Sequence, residues 1–148
     1  MNTSIAARQC LIDNFWNFSA QVHLLKESER LQQIKTGLSP ALIDAMRATF
    51  ELSDSRLAIL LNESLSTIHR RKLQQKTLGS IASERLDRIA FIGQQALEVF
   101  ESRKVATRWM SVPNRLLGNS IPLMLCSTGL GAAQVRRVLH ALEWGGAV

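Results

Sequence analysis

Apolar residues along this chain recur at intervals of three, four and seven, and polar or glycine positions divide them into segments, which predicts helices rather than strands. Ile5, Ile12, Phe15, Trp16, Leu24, Leu25, Leu31 and Ile34 form an irregular stripe that predicts one or two helices, ended by Gly37. Ser39-Pro40 reads as a helix start. The serine hydroxyl can accept a free amide of the first turn, and proline at the first helical position gives up only an amide that would have had no partner. The helix after it is expected from Ala41 to Phe50, with Leu42, Ile43, Met46 and Phe50 inward. A short helix is expected from Asp54 to Leu61, a turn at Asn62-Glu63, and a second short helix, capped by Ser64, from Leu65 to Gln75 and closed by Gly79.

Ser83 is expected to cap a long helix from Glu84 to Lys104. Its apolar face is Leu86, Ile89, Ala90, Leu97 and Phe100, and Gly93 on that face permits close approach of another helix. Beyond it the chain reads as a short turn with Trp109, a loop from Pro113 to Gly118, and a short helix after Pro122. A last helix is expected from Gly131 to Trp144, stopped by Gly145-Gly146.

Within this pattern, Leu57 to Lys72 has the spacing of a helix-turn-helix. Ala58 is small where two helices must approach, and Leu57, Leu61 and Ile68 can fill the space between them. Asn62 takes the turn position where glycine is usual, and asparagine tolerates the left-handed conformation better than most residues. In a major groove, Ser64, Ser66 and Thr67 near the second helix's N-terminus would meet phosphates or base edges. His69, Arg70, Arg71 and Lys72 would carry the basic side of that helix, and arginine is the residue most able to read guanine bidentately. Two residues depart from the usual pattern. Glu63 stands where an apolar turn residue normally packs, and Arg71 where many such units bury an apolar side chain. The plainer alternative is a helical hairpin with a solvated basic face.

The elements therefore predict an all-α chain in four parts: N-terminal helices over 1–38, a helix-turn-helix region over 39–82, a connecting helix over 83–104, and a small helical C-terminal domain over 105–148. The long helix is expected to join the two functional halves rigidly, and a fragment beginning near Glu84 to keep the function of the second half.

The 148 residues suffice for one ordinary domain or two small ones sharing a core, and 46% apolar content argues for a folded chain. The net charge of +6 favours nucleic acid or an acidic protein as partner. It is concentrated in two acid-free runs: Arg70, Arg71, Lys72 and Lys76 between Ser64 and Ser83, and Arg103, Lys104, Arg108, Arg115, Arg136 and Arg137 between Ser102 and Leu142. Cys10 and Cys126 sit in apolar sequence contexts and make no disulfide framework. His23, His69 and His140 are scattered without metal-ligand spacing, so neither metal nor cofactor is expected. Cys126 and His140 can be imagined as nucleophile and base, but Cys126 reads better as a small core residue. Gly129-Leu130-Gly131 lacks the strand-to-helix context of a phosphate loop, and an enzyme is not expected. With no signal peptide and no long apolar run, the expected location is the cytoplasm.

The last third of the chain spaces Pro113-Asn114, Leu117-Gly118, Pro122-Leu123, Thr128, Gly131, Val135, Leu139 and Glu143-Trp144-Gly145 along a small helical unit. That series resembles the C-terminal domain of the Xre/MbcA/ParS antitoxin family. Ser64, Thr67, Ile68, Arg70 and Arg71, and later Ser83-Glu84-Arg85-Leu86, resemble the same family's N-terminal domain. The resemblance implies an antitoxin with three partners: a RES-domain toxin that destroys NAD, operator DNA, and further copies of itself. It implies that the C-terminal region covers the toxin's substrate entrance, with Glu143, Trp144 and Gly145 as the matching residues. Arg136, Arg137, His140 and the terminal Val148 extend that candidate surface, and Arg136 and Arg137 would either point away from the entrance or pair with acids on its rim. Tryptophan is over-represented at binding hot spots, although at Trp144 it can equally anchor the last helix in the core. The rival reading is a stand-alone transcription regulator whose C-terminal domain only mediates oligomerisation.

Overall fold

The computed structural model describes residues 2–145. The helices are α1 (Asn2–Leu24), α2 (Glu27–Thr36), α3 (Ala41–Phe50), α4 (Asp54–Leu61), α5 (Leu65–Leu73), α6 (Ser80–Phe100), α7 (Arg103–Ser111), α8 (Pro122–Leu125) and α9 (Gly129–Glu143), with a 3-10 turn at Arg115–Leu117. Among the described residues the only β-type pairing is a single bridge between Asn114 and Ser120. None of the helices is long and apolar enough to cross a membrane.

The long helix α6 is the axis of the fold, packed against α1, α2, α4, α7 and α9. Its inward face carries Leu86, Ile89, Ile92 and Ala96 at the spacing that one helix face requires. One continuous apolar core runs from Phe15 and Trp16 on α1, through Met46 and Phe50 on α3 and Leu57 and Leu61 on α4, to Val135 and Leu139 on α9. Phe15 lies edge-on to both Trp16 and Phe50, with ring centroids 5.3 and 5.2 Å away.

Helix α6 is the shared wall of one core, so a chain cut at Glu84 would expose Leu86, Ile89 and Ile92 to water. The polar links agree. Arg85 on α6 donates to the Leu60 carbonyl at the end of α4, 3.3 Å away, and also to the Ser127 carbonyl before α9. Arg88, paired with Glu84, donates to the Cys126 carbonyl at 3.0 Å. Arg30 on α2 forks onto Asp87 at 3.3 and 2.6 Å, and Asp87 is only 4% exposed. A buried carboxylate held by two arginine donors has its charge neutralised where water cannot reach it.

Several local expectations change. Ser83 is not a cap: α6 begins a turn earlier, after Gly79, and Ser83 is buried with its hydroxyl accepting the Leu38 amide at 2.9 Å. Gly79 does not close α5, which stops at Leu73; the left-handed turn after it is made by Gln75, φ 55°. The segment around Trp109 is the nine-residue helix α7, capped by the Ser102 hydroxyl, which accepts the Val105 amide at 3.2 Å. On α1 and α2, Ile5, Leu24 and Leu31 face solvent, while Ser19 and Val22 turn inward beside Phe15 and Trp16. Cys10 is exposed.

Gly93 faces Phe15 and Ser19 across the α1–α6 contact. An added Cβ would stand 3.5 Å from both, an ordinary contact distance. The glycine is therefore not needed for the approach of α1. Gly93→Ala is expected to stabilise the protein by about 0.5–1 kcal/mol, by removing backbone freedom from the unfolded chain. Thermal melting should show a rise of ~1–4 °C.

Candidate functional site

The α4–α5 pair is a complete helix-turn-helix. The Ser53 hydroxyl caps α4 by accepting the Arg56 amide, and Asn62 ends that helix in the left-handed conformation, φ 50°. The Ser64 hydroxyl then caps α5, accepting the Thr67 amide at 3.2 Å and donating to the Thr67 hydroxyl at 2.9 Å. Leu57, Leu60 and Leu61 of α4 and Ile68 of α5 are buried in the common core.

The two departures from the usual pattern meet each other. Arg71 Nε lies 4.0 Å from Glu63 Oε1, and Arg71 Nη1 donates to the Thr77 carbonyl at 3.0 Å. The charged pair does locally what two apolar side chains do elsewhere: it ties the turn to the segment that follows α5. Lys72 is likewise engaged, by Asp44 on α3. That leaves Ser66, His69 and Arg70 exposed and free of the intramolecular ties that hold Arg71 and Lys72. Their outward side is the one a groove would meet.

The C-terminal series of residues can be read position by position. Asn114 Oδ1 accepts the Leu116 amide at 2.9 Å, and Gly118 takes a left-handed turn, φ 64°, that lets the chain fold back to Ser120. Pro122 opens α8, where its missing amide costs nothing, and Leu123 is buried beneath it. The Thr128 hydroxyl caps α9 by accepting the Gly131 amide at 2.9 Å. Gly131 faces the Leu125 carbonyl so closely that a Cβ there would stand 2.0 Å from its oxygen. Val135 and Leu139 are 0% and 1% exposed and join α9 to the core. Each of these positions builds the unit.

Glu143, Trp144 and Gly145 do not. All three are exposed, and Trp144 is 75% exposed, so it anchors nothing in the core. Its ring stands 6.1 Å from that of His140, one turn back. Arg136, Arg137 and His140 are exposed on α9 and share with Gln95 of α6 a shallow groove of about 570 Å³. The guanidinium of Arg136 also lies 5.2 Å from the centre of the Phe91 ring, which Arg30 of α2 approaches at 4.3 Å. Val148, the remaining candidate of this surface, lies outside the described residues.

The second basic run is thus divided between surfaces. Arg103, Lys104 and Arg108 lie on α7 beside α1, where Arg103 pairs with Asp13 at 3.0 Å, while Arg136 and Arg137 belong to α9. Cys126 is fully buried and its thiol donates to the Pro122 carbonyl at 3.4 Å. Burial pushes its pKa up to about 12, against a smaller lowering by Arg88, so near neutral pH it is a thiol and not a nucleophile. No group of three or more metal-ligating side chains forms among the described residues.

Two protein-family models match the chain. The antitoxin Xre-like helix-turn-helix domain matches residues 26–90, from just before α2 to the middle of α6. The antitoxin Xre/MbcA/ParS C-terminal toxin-binding domain matches residues 95–145, from the end of α6 to the end of α9. No curated protein matches the chain. With a helix-turn-helix unit and a toxin-binding domain built on one core, and these two models covering most of its length, the chain belongs to the Xre/MbcA/ParS antitoxin family.

Proposed function

We propose that this antitoxin neutralises a RES-domain toxin by covering the opening through which NAD reaches it, and that it represses its own operon by binding operator DNA as a symmetric assembly. One observation carries the first part. Asn114, Gly118, Leu123, Thr128, Gly131, Val135 and Leu139 of the C-terminal series all have work inside the fold, whereas Trp144, at the end of α9, presents an indole to solvent. An exposed indole contributes nothing to folding and is a frequent anchor in interfaces. The mechanism is steric: the indole and the residues beside it, Glu143 and Gly145, keep NAD out. Arg136, Arg137 and His140 flank the indole and supply the charge that selects the partner.

The test is made in cells. Expression of the toxin gene adjacent to this one should deplete NAD and stop growth, and co-expression of this chain should restore both. Toxicity without loss of NAD would exclude a RES-type target. No toxicity from any neighbouring gene would favour the stand-alone regulator.

For DNA, Arg70 is the side chain to remove. Phosphate and base contacts by a cation release counterions, so Arg70→Ala should weaken operator binding and lower the log–log salt slope by about 0.9. Because Arg70 is exposed, the melting temperature should not move. Arg71→Ala should instead lower the melting temperature, since Arg71 holds Glu63 and Thr77. Mobility shifts over a salt series, with melting curves, separate the two. An unchanged slope in the Arg70 variant would take this helix out of the DNA contact.

A further inference from the structure

The exposed side of α9 holds more than its last turn. Leu130, in the first turn, is 75% exposed, the same as Trp144 in the last. Between them on one side of the helix lie Gln134, Arg137 and Ala141, so the five residues follow steps of four, three, four and three. At 3.6 residues per turn they fall within an arc of ~80°, and the two apolar ends are separated by about 21 Å. Shallow grooves of about 570 and 510 Å³ border this line, one shared with Gln95 of α6 and the other with Leu116 and Gly118. The line is therefore a raised ridge. Arg137 stands on the line and Arg136 and His140 along one flank, none of them paired with an acid among the described residues, and Glu143 shares that flank two turns beyond Arg136.

We infer that the outer ridge of α9, from Leu130 to Trp144, docks as one helix into an elongated apolar groove of the toxin, with acidic residues of the toxin along the side that meets Arg136, Arg137 and His140. This rests on the toxin-binding reading above and deepens it: Leu130 becomes a second anchor nearly four helical turns from the indole. A helix laid in a groove is held by apolar side chains at such spacings, and its charged flank fixes register and partner choice. The occupant is expected to be acidic on that side, because Arg136 and Arg137 outnumber the single carboxylate there, Glu143.

The experiment uses the full chain and the purified product of the adjacent toxin gene, with affinity measured by calorimetry. Leu130→Asp is the informative variant. Position 130 lies in the first turn of α9, where a carboxylate is favoured by the helix dipole, so folding should be kept. The same carboxylate would enter an acidic, apolar groove. Affinity should fall at least about 30-fold, the effect of losing one hot-spot residue. Leu31→Asp, at a similarly exposed leucine on α2, is the control and should change affinity less than about threefold. Association should also slow as salt is raised, as expected of an interface steered by charge.

Wild-type affinity retained by a folded Leu130→Asp protein would overturn the ridge and leave the toxin reading standing on Trp144. No binding by the wild type would remove the toxin reading and the ridge together. Sedimentation of the antitoxin alone provides a further check. A wild-type dimer that Leu130→Asp turns into monomer, with toxin affinity unchanged, would make the ridge a contact between copies and overturn the inference.

Discussion

Trp144→Ala should weaken inhibition of the toxin by about 30- to 1000-fold, the range corresponding to the ~2–4 kcal/mol that a buried interface indole contributes. The protein itself should be unaffected. Trp144 is 75% exposed, so truncation opens no cavity, and the ring's one aromatic neighbour, His140, is also at the surface. An unchanged melting temperature beside a large loss of inhibition is the expected pairing. A folded variant that inhibits as tightly as the wild type would show that the indole is not the plug. The binding energy would then have to reside in the rest of α9.

The second large effect is on folding. Gly131→Ala places a methyl group 2.0 Å from the Leu125 carbonyl oxygen and 2.9 Å from its carbon. Both atoms are backbone, at the junction of α8 and α9, so they cannot swing aside as a flexible side chain would. Relieving the clash means moving the start of α9, and with it the Thr128 cap and the register of Val135 and Leu139 against the core. A loss of about 3 kcal/mol or more is expected, which at this chain length is a drop in melting temperature of ~8 °C or more. Gly129→Ala two residues earlier meets nothing within 4 Å and should be tolerated. Equal stability of the two variants would mean that the α8–α9 junction is looser than this packing implies.

The contrast among glycines shows what the chain discloses before it is folded. At Gly93 and Gly131 the sequence offers the same letter in a helical pattern. Only the backbone opposite each one decides that the first tolerates a methyl group and the second does not. The elements around α3, α4 and α5 were legible because their ends are written locally: Ser39-Pro40, Asn62 and Ser64 each act on amides or dihedrals within a few residues. Ser83 misled for the opposite reason. Serine before glutamate looks like a cap, but its partner is the Leu38 amide, far away in sequence. Helix α7 is hard to read from the sequence because only Ala106 and Met110 of its nine residues are buried, too few to make an apolar stripe, although Ser102 caps it locally.

The candidate surfaces divide in the same way. Basic residues of α5 could be found from spacing, but not the fact that Glu63 and Asp44 hold Arg71 and Lys72 while Arg70 stays exposed. Those pairs depend on side chains brought together by the turn and by the packing of α3. On α9 the resemblance to an antitoxin pointed to Trp144, and the exposure of the indole removes the alternative of a core anchor. Leu130 escaped notice because a lone leucine between glycines gives no sign of which way it faces. It matters only once the axis of α9 is fixed by Val135 and Leu139.

The central claim, steric exclusion of NAD, has one direct test. Purified toxin is titrated with the full-length antitoxin, and the initial rate of NAD loss is followed at each ratio. At toxin concentrations well above the dissociation constant the rate should fall linearly to zero at a fixed stoichiometry, and the Trp144→Ala titration should remain curved and incomplete over the same range. A complex that forms fully, as seen by size-exclusion chromatography, and yet still consumes NAD at the rate of the free toxin would contradict the account.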